Sequence, residues 1–434
     1  MNSFKGCPEI EFKSRNTIRR RQSSLLKKHL AYCAEYSPYY RRLFKKAGIR
    51  HQSIGLDNLS TLPLTDKTNF SRHNDEFLAV RQTGIVDIVL SSGTTGRPSR
   101  IMYTEHDLQR LAYNEEVSFA ACGITANDVA LLTCTMDRCF IAGLAYFLGI
   151  RALGAAAIRN GHGTLSSHMD IIRSIKPTVL IGVPSFLRRL GHFLDDNGVS
   201  AAKTSIRKLV CIGEPVRGQD MKQLKLGRDL EKLWKAKVFS TYASSECITT
   251  FCECTAQDGG HLHPDLAIVE ILDSRNRPVP PGVPGEVVLT PLSIEGMPLV
   301  RFKTGDISFL ITEPCSCGRK SPRLGPILGR KQQMMKVRGT TLYPQAIFSA
   351  MDEIPKIGDY YLEIKSIDEL SDDLVIHIAA RPKLPSLGSI REKLQSRLRV
   401  TPTIVIDPED EVRHHMYPPE SRKPVRVIDR RSSR

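Results

Sequence analysis

Ile85-Val-Asp-Ile-Val-Leu-Ser-Ser-Gly-Thr-Thr-Gly-Arg-Pro98 joins a short β-branched run to a loop of hydroxyls and glycines. Residues 85–90 are rich in the side chains that strands favour, so a strand is expected there. The loop that leaves it carries Ser91, Ser92, Thr94 and Thr95 together with Gly93 and Gly96. With so little bulk, its backbone N–H groups can wrap a phosphate while the hydroxyls add further donors. A plain Ser/Thr/Gly turn has the same composition, and the GxxxxGK[ST] spacing of the common P-loop is missing. The rest of the chain must decide.

Outward from that stretch, Val129-Ala-Leu-Leu-Thr133, Thr178-Val-Leu-Ile-Gly182, Lys208-Leu-Val-Cys-Ile212 and Val238-Phe-Ser240 alternate with helical segments. This is the rhythm of a largely parallel α/β sheet. Upstream, residues 17–48 read as amphipathic helix with Leu26, Leu30 and Cys33 on one face and a turn at Ser37-Pro38. Near 265–312 the pattern changes to short strands between Pro/Gly turns, and an antiparallel or barrel-like part is expected over about 265–328. The tail has two strand runs, a helix near Ser389–Leu398 and Thr403-Ile-Val-Ile406. It reads as a small α+β domain. The boundaries expected are 1–329 for a large N-terminal domain and 330–434 for a small one, with Gly329-Arg330-Lys331 as the hinge.

A chain of 434 residues suits two or three domains. Its longest apolar region, Phe140 to Ile158, is interrupted by Arg151 and falls short of a membrane span. The start, Met1 to Arg21, mixes acids and many bases and lacks an apolar core, so no secretory signal is expected there and a cytoplasmic protein is. Eleven cysteines spread over such a length argue against a disulfide scaffold. The net charge of +16 attracts polyanions of any kind. Without zinc-finger spacing, a recognition-helix pattern or an RNA-binding aromatic pair, no nucleic-acid partner is expected, and with no apolar run of spanning length no membrane partner is expected either.

Two further motifs carry chemistry. Thr241-Tyr-Ala-Ser-Ser-Glu246 follows the strand at 238–240, and the C-terminal end of a parallel strand lies in the ligand crevice of an open sheet. Tyr242 can lie beside a base, a hydroxyl can meet phosphate, and Glu246 can hold Mg²⁺ through oxygen. In Arg301-Phe-Lys-Thr-Gly-Asp306 a carboxylate follows a glycine turn, where Asp306 can accept from ribose hydroxyls; Arg330 can neutralise phosphate or meet a ribose hydroxyl. A helix start, a surface turn and a salt bridge are the competing readings.

In order and spacing, these motifs resemble the adenylate-forming acyl-CoA synthetases, and most closely the phenylacetate-CoA ligase group. The resemblance runs over essentially the full length, from Tyr36–Gly48 through Ser91–Pro98, Gly213-Glu-Pro215, Tyr242–Glu246, Arg301–Asp306, Gly329-Arg330 and Arg338–Pro344 to Ser421–Arg431. It implies activation of a small carboxylic acid, expected to be aromatic, by ATP to acyl-AMP with loss of pyrophosphate. Rotation of the small domain and transfer to coenzyme A, with release of AMP, follow. It implies that Ser91, Ser92, Gly93, Thr94, Thr95, Gly96 and Arg97 hold the β/γ-phosphates, with Thr94 counted among the catalytic groups. It places Gly213, Glu214 and Pro215 at the adenine, Tyr242 and Ser245 beside the nucleotide, Glu246 on Mg²⁺, and Asp306 with Arg330 at the ribose.

Lys423 is implied as the lysine that spans carboxylate and α-phosphate, a mobile ammonium where two anions must meet. Phe140, Gly143, Ala145, Tyr146 and Ala243 are the candidates around the acid, whose apolar surroundings favour an aromatic or aliphatic body. The chain departs from the family pattern at Arg97 for lysine, at Ala243 for glycine, at Ser245 for threonine, at Gln332-Gln333 for an acidic pair, and in the Ser-Arg-Lys-Pro form of its tail.

Cys254-x6-His261 and Cys315-x-Cys317 form an ordinary structural zinc set, with His263 and Cys252 as competing ligands and free buried thiols as the alternative. Some phenylacetate-ligase-like proteins carry cysteine and histidine at these positions, and a closed four-ligand site points to architecture rather than chemistry. Adenylation without CoA transfer is the second function considered, with a carrier-protein thiol as acceptor or a nucleotidylated cofactor as product; the Cys315–Pro344 region resembles deazaflavin-cofactor synthetases. A non-catalytic basic binding protein is the third. A homodimer is left open.

Overall fold

The computed structural model describes residues 4–91, 99–337, 340–366, 372–398, 400, 402–418 and 424–431. The chain forms two compact units, Met1–Ile327 and Leu328–Arg434. Among the described residues no helix is long and apolar enough to cross a membrane.

The first unit opens with the helix Arg15–Tyr36, capped by the Ser14 side chain, which accepts from the Thr17 N–H. Leu26, Leu30 and Cys33 are fully buried, as their spacing predicts. Pro38, with φ preset and no N–H to lose, starts the next helix, Pro38–Lys46.

The central sheet has six strands in the order Ala156–Arg159, Val129–Leu132, Val179–Gly182, Lys208–Cys211, Lys237–Ser244 and Thr249–Cys252. The first five pair in parallel and the last turns back antiparallel. Val179–Gly182 is buried on both faces, which explains why its sequence is a continuous apolar run rather than an alternating one. The region Phe140–Ile158 becomes the helix Ala142–Ala152 and the strand Ala156–Arg159.

The strand expected within 85–90 is present, and strand pairing sets it and the barrel-like part apart from the central sheet. The strand ahead of the hydroxyl-rich loop, Asp87–Leu90, lies outside the central sheet; it pairs antiparallel with Arg100–Tyr103. The register Leu90↔Arg100 brings the two ends of the loop side by side. The barrel-like part is also different. Thr65–Asp66, Phe302–Ser308, Gly285–Pro291 and Ala267–Leu272 form one open path, and Gly260–His261, Arg323–Leu324 and Leu310–Ile311 form a separate three-stranded sheet. Among the described residues no pairing joins these into a closed barrel.

The second unit is the expected small α+β fold. Its strands run Thr403–Asp407, Asp372–Ala379, Tyr360–Ser366, Val427–Asp429, with the helices Pro344–Asp352 and Leu387–Leu398. Ile347, Met351, Leu362, Ile376, Ile390 and Leu394 fill its own core.

Candidate active site

Sheet register gathers the predicted residues of the first unit at one end. Cys211 and Ser240 form the last parallel pair of their two strands, so Gly213 and Tyr242, each two residues further on, lie just past the end of that parallel pairing. Gly213 has φ +73, a left-handed turn that glycine enters without strain. The next residue fixes this turn. Glu214 accepts from the Ser185 N–H and the Ser185 hydroxyl, both at 2.9 Å, at the first turn of the helix Pro184–Asp196. The carboxylate thereby satisfies an orphan donor at the positive end of that helix.

Tyr242 and Asp306 meet although 64 positions separate them; the phenol donates to Asp306 Oδ2 at 3.0 Å. Burial first, then the Asp306 carboxylate, holds the Tyr242 phenol well above its usual range, so it stays a donor. Its ring centroid is 6.4 Å from that of Phe251, with the planes inclined by 25°. Glu246 is buried, with Oε1 at 3.3 Å from Lys67 Nζ and Oε2 at 3.5 Å from the Ser244 hydroxyl. The Ser245 carbonyl accepts from the Tyr103 hydroxyl at 3.3 Å. Ala243 is exposed.

The hydroxyl-rich loop is fixed at its mouth. Ser91 N–H donates to the Ser99 carbonyl at 2.9 Å, and Ser99 N–H donates to the Ser91 hydroxyl at 3.1 Å. Ser92, Gly93, Thr94, Thr95, Gly96 and Arg97 lie outside the described residues, as does Lys423. Leu90 N–H donates to the carbonyl of Cys139, in a turn where Arg138 (φ +57) and Cys139 (φ +51) are both left-handed without being glycine. That turn carries Phe140, which is 37% exposed.

The other residues expected around the acid lie deeper. Gly143 sits where a Cβ would stand 2.3 Å from the Thr135 carbonyl oxygen, and Ala145 and Tyr146 are buried, Tyr146 edge-on to Phe119. Pro215 is half-buried, and Arg330 is an exposed residue of the second unit.

Cys254, His261, Cys315 and Cys317 converge, their ligand atoms all within 4.8 Å of one another. Cys254 Sγ is 3.5 Å from Cys315 Sγ, and Cys317 Sγ is 3.3 Å from His261 Nε2. His261 Nδ1 meets the Ser321 hydroxyl at 3.1 Å, leaving Nε2 for the cluster. Burial lowers His261 to about 4, which keeps the ring in the neutral, ligating form. The competitors are engaged elsewhere: His263 pairs Nδ1 with Glu11 and Nε2 with Ser118, and Cys252 accepts from the Thr241 hydroxyl. Three thiols and one imidazole fit a four-coordinate metal ion.

Two partners in the site were not anticipated. Lys67 carries no warning beyond its place after Asp66, whose capping box with Asn69 starts the helix Lys67–Arg72. Glu253 is visible in retrospect, as an acid inside the otherwise buried run Phe251-Cys-Glu-Cys254.

The chain belongs to the AMP-binding enzymes, whose family model matches residues 45–292. Within them it falls in the phenylacetate-CoA ligase-like group. A phenylacetate-coenzyme A ligase of Thermus thermophilus is 32% identical over 360 residues, covering 82% of this chain and 79% of the ligase. One from Escherichia coli is 28% identical over 400 residues, covering 90% and 86%. Among solved structures, 2-hydroxyisobutyryl-CoA ligase in its postadenylation state superposes with a TM-score of 0.84 at 21% identity, covering 97% of this chain and 91% of the other, a likeness of fold.

Proposed function

We propose that the protein activates a small, aromatic carboxylic acid with ATP and passes the acyl group to coenzyme A. In the first step a carboxylate oxygen attacks the α-phosphorus, and the bond to the bridging oxygen of pyrophosphate breaks, giving acyl-AMP. In the second, the thiol sulfur of coenzyme A attacks the acyl carbon, AMP departs, and the thiol proton is released. The single observation that supports this reading most is the meeting of Tyr242 and Asp306, with Tyr242 on the strand that leads to Glu246 and beside the strand that leads to Gly213. Named activities of the relatives, thioester formation from an acid and coenzyme A, point the same way.

In this reading Gly213, Glu214 and Pro215 line the adenine, with Glu214 holding the turn through Ser185. Tyr242 and Ser245 border the nucleotide, and Tyr242 orients Asp306 to accept from the ribose hydroxyls, assisted by Arg330. Ser91 to Arg97 grip the β/γ-phosphates, and Thr94 donates where charge builds on them. Glu246 offers carboxylate oxygens to Mg²⁺, which when bound neutralises phosphate charge. Lys423 brings an ammonium to the two anions that must meet. Phe140, Gly143, Ala145, Tyr146 and Ala243 shape the acid pocket, with Phe140 and Ala243 at its open side. Residues 1–329 bind the substrates and 330–434 act as the lid, hinged at Gly329-Arg330. Cys254, His261, Cys315 and Cys317 hold one structural zinc ion.

ATP–pyrophosphate exchange over a panel of carboxylates, with and without coenzyme A, tests the proposal. Acid-dependent exchange followed by CoA-dependent thioester and AMP supports it. Exchange to which coenzyme A is inert replaces it with adenylation alone.

A further inference from the structure

Glu253 is a buried carboxylate that the reaction scheme does not use. It follows the strand Thr249–Cys252, and each of its oxygens has a separate partner. Oε1 accepts from Arg217 Nε, and Oε2 accepts from the Ser240 N–H at 2.8 Å. The Glu253 N–H returns a bond to the Ser240 carbonyl at 3.0 Å. Glu253 is 1% exposed and Arg217 7%. Each partner belongs to a part of the proposed nucleotide site. Arg217 stands two residues past Pro215, in the loop that carries the candidate adenine residues, and its Nη1 also reaches the Met221 carbonyl at 3.4 Å. Ser240 stands two residues before Tyr242. The residue after Glu253 is Cys254, the first of the metal set.

We infer that Glu253 and Arg217 are positioning residues that fix the adenine loop against the strand bearing Tyr242. The inference rests on the adenylation reading above. A fully desolvated ion pair adds little net stability compared with apolar side chains of similar volume, so its presence in a core is weakly explained by stability. What it supplies is direction. A bond from the Arg217 side chain and a bond from the Ser240 backbone N–H tie the loop and the strand to one carboxylate, and the loop turn at Gly213 lies four residues before Arg217. An apolar pair would fill the same space without setting that register.

The test is calorimetric titration of AMP and of a non-hydrolysable ATP analogue into the wild type, Glu253→Gln, and the double variant Arg217→Met/Glu253→Leu. The double variant removes both charges together and so strands neither in the core, and its folding is checked by circular dichroism and by the titration stoichiometry. Titration separates the fraction of binding-competent chain from the dissociation constant of each competent site. Positioning predicts a dissociation constant raised about tenfold in the folded double variant at unchanged stoichiometry, the scale found when outer partners of a site are removed. In exchange assays the KM for ATP rises with that for the acid unchanged. A folded double variant binding AMP as tightly as the wild type overturns the inference and leaves the adenylation reading intact. Wild-type protein that binds no adenine nucleotide overturns both.

Discussion

Tyr242→Phe removes one atom from the site and leaves the ring to lie against Phe251 as before. The lost interaction is an O–H···O bond of 3.0 Å to the Asp306 carboxylate. Hydrogen bonds to charged groups are worth about 1.5–3 kcal/mol net, and each 1.4 kcal/mol is tenfold in an equilibrium constant. If the whole bond served to hold Asp306 for the ribose, nucleotide affinity would fall roughly 10–100-fold. The Asp306 N–H also donates to the Thr304 hydroxyl at 3.1 Å, so the backbone that carries the carboxylate stays in place. The expected effect is therefore the lower end, about tenfold in the dissociation constant for AMP. The assay is calorimetric titration of AMP, backed by the KM for ATP in pyrophosphate exchange. Asp306→Ala should exceed the effect of Tyr242→Phe, because it removes the acceptor itself. A folded Tyr242→Phe protein with unchanged affinity for AMP refutes the claim that this contact serves the nucleotide.

Lys423→Ala should lower adenylation by a factor on the order of 10²–10³, the scale of losing one preorganised charge partner, with AMP binding and folding retained; an unchanged exchange rate refutes the assignment. Glu115 gives a stability prediction with a defined sign. Burial pushes its carboxyl from the ordinary 4.5 up to about 8, and the Thr250 hydroxyl offsets only part of this. Between those values the unfolded chain has released a proton that the folded chain keeps, so stability is full below about pH 4.5 and falls as pH rises towards about 8. Glu115→Gln should flatten that decline, gaining on the order of a few kcal/mol at pH 8 relative to pH 5 in denaturant titrations, and an unaltered pH slope contradicts it. Metal analysis should find one zinc ion per chain, lost in Cys315→Ser and Cys317→Ser. Chelation should lower Tm, since a ligand at roughly 1,000 times its Kd stabilises by about 4 kcal/mol; equal Tm values with and without chelator contradict it.

The parallel sheet was legible because strands covered on both faces are written as apolar runs, as in Val179–Gly182. The helix face of Leu26, Leu30 and Cys33 was legible for the same reason, since periodicity records burial. Pairing partners are another matter. Residues 85–90 read as a strand, but nothing local says that Leu90 faces Arg100 rather than a strand of the central sheet. Closure into a barrel was likewise not legible: the strands over 265–312 pair antiparallel as expected, but short strands between Pro/Gly turns serve separate sheets as well as closed ones. Of the site, the motifs showed which residue types were available, whereas the contact between Tyr242 and Asp306 depends on how the two sheets meet. The choice of His261 over His263 rests on Glu11 and Ser118, which lie 252 and 145 positions from His263. Glu253 was missed because a charge in a buried run has meaning only once its partner Arg217 is in place.

Pyrophosphate exchange remains the most direct test of the central claim. With purified protein, ATP, Mg²⁺ and a panel of aromatic and aliphatic acids, the account predicts label moving from pyrophosphate into ATP only when a cognate acid is present. Adding coenzyme A should then yield one thioester and one AMP for each ATP consumed. Protein that binds AMP yet exchanges no label with any acid, or that releases ADP and phosphate instead, contradicts it.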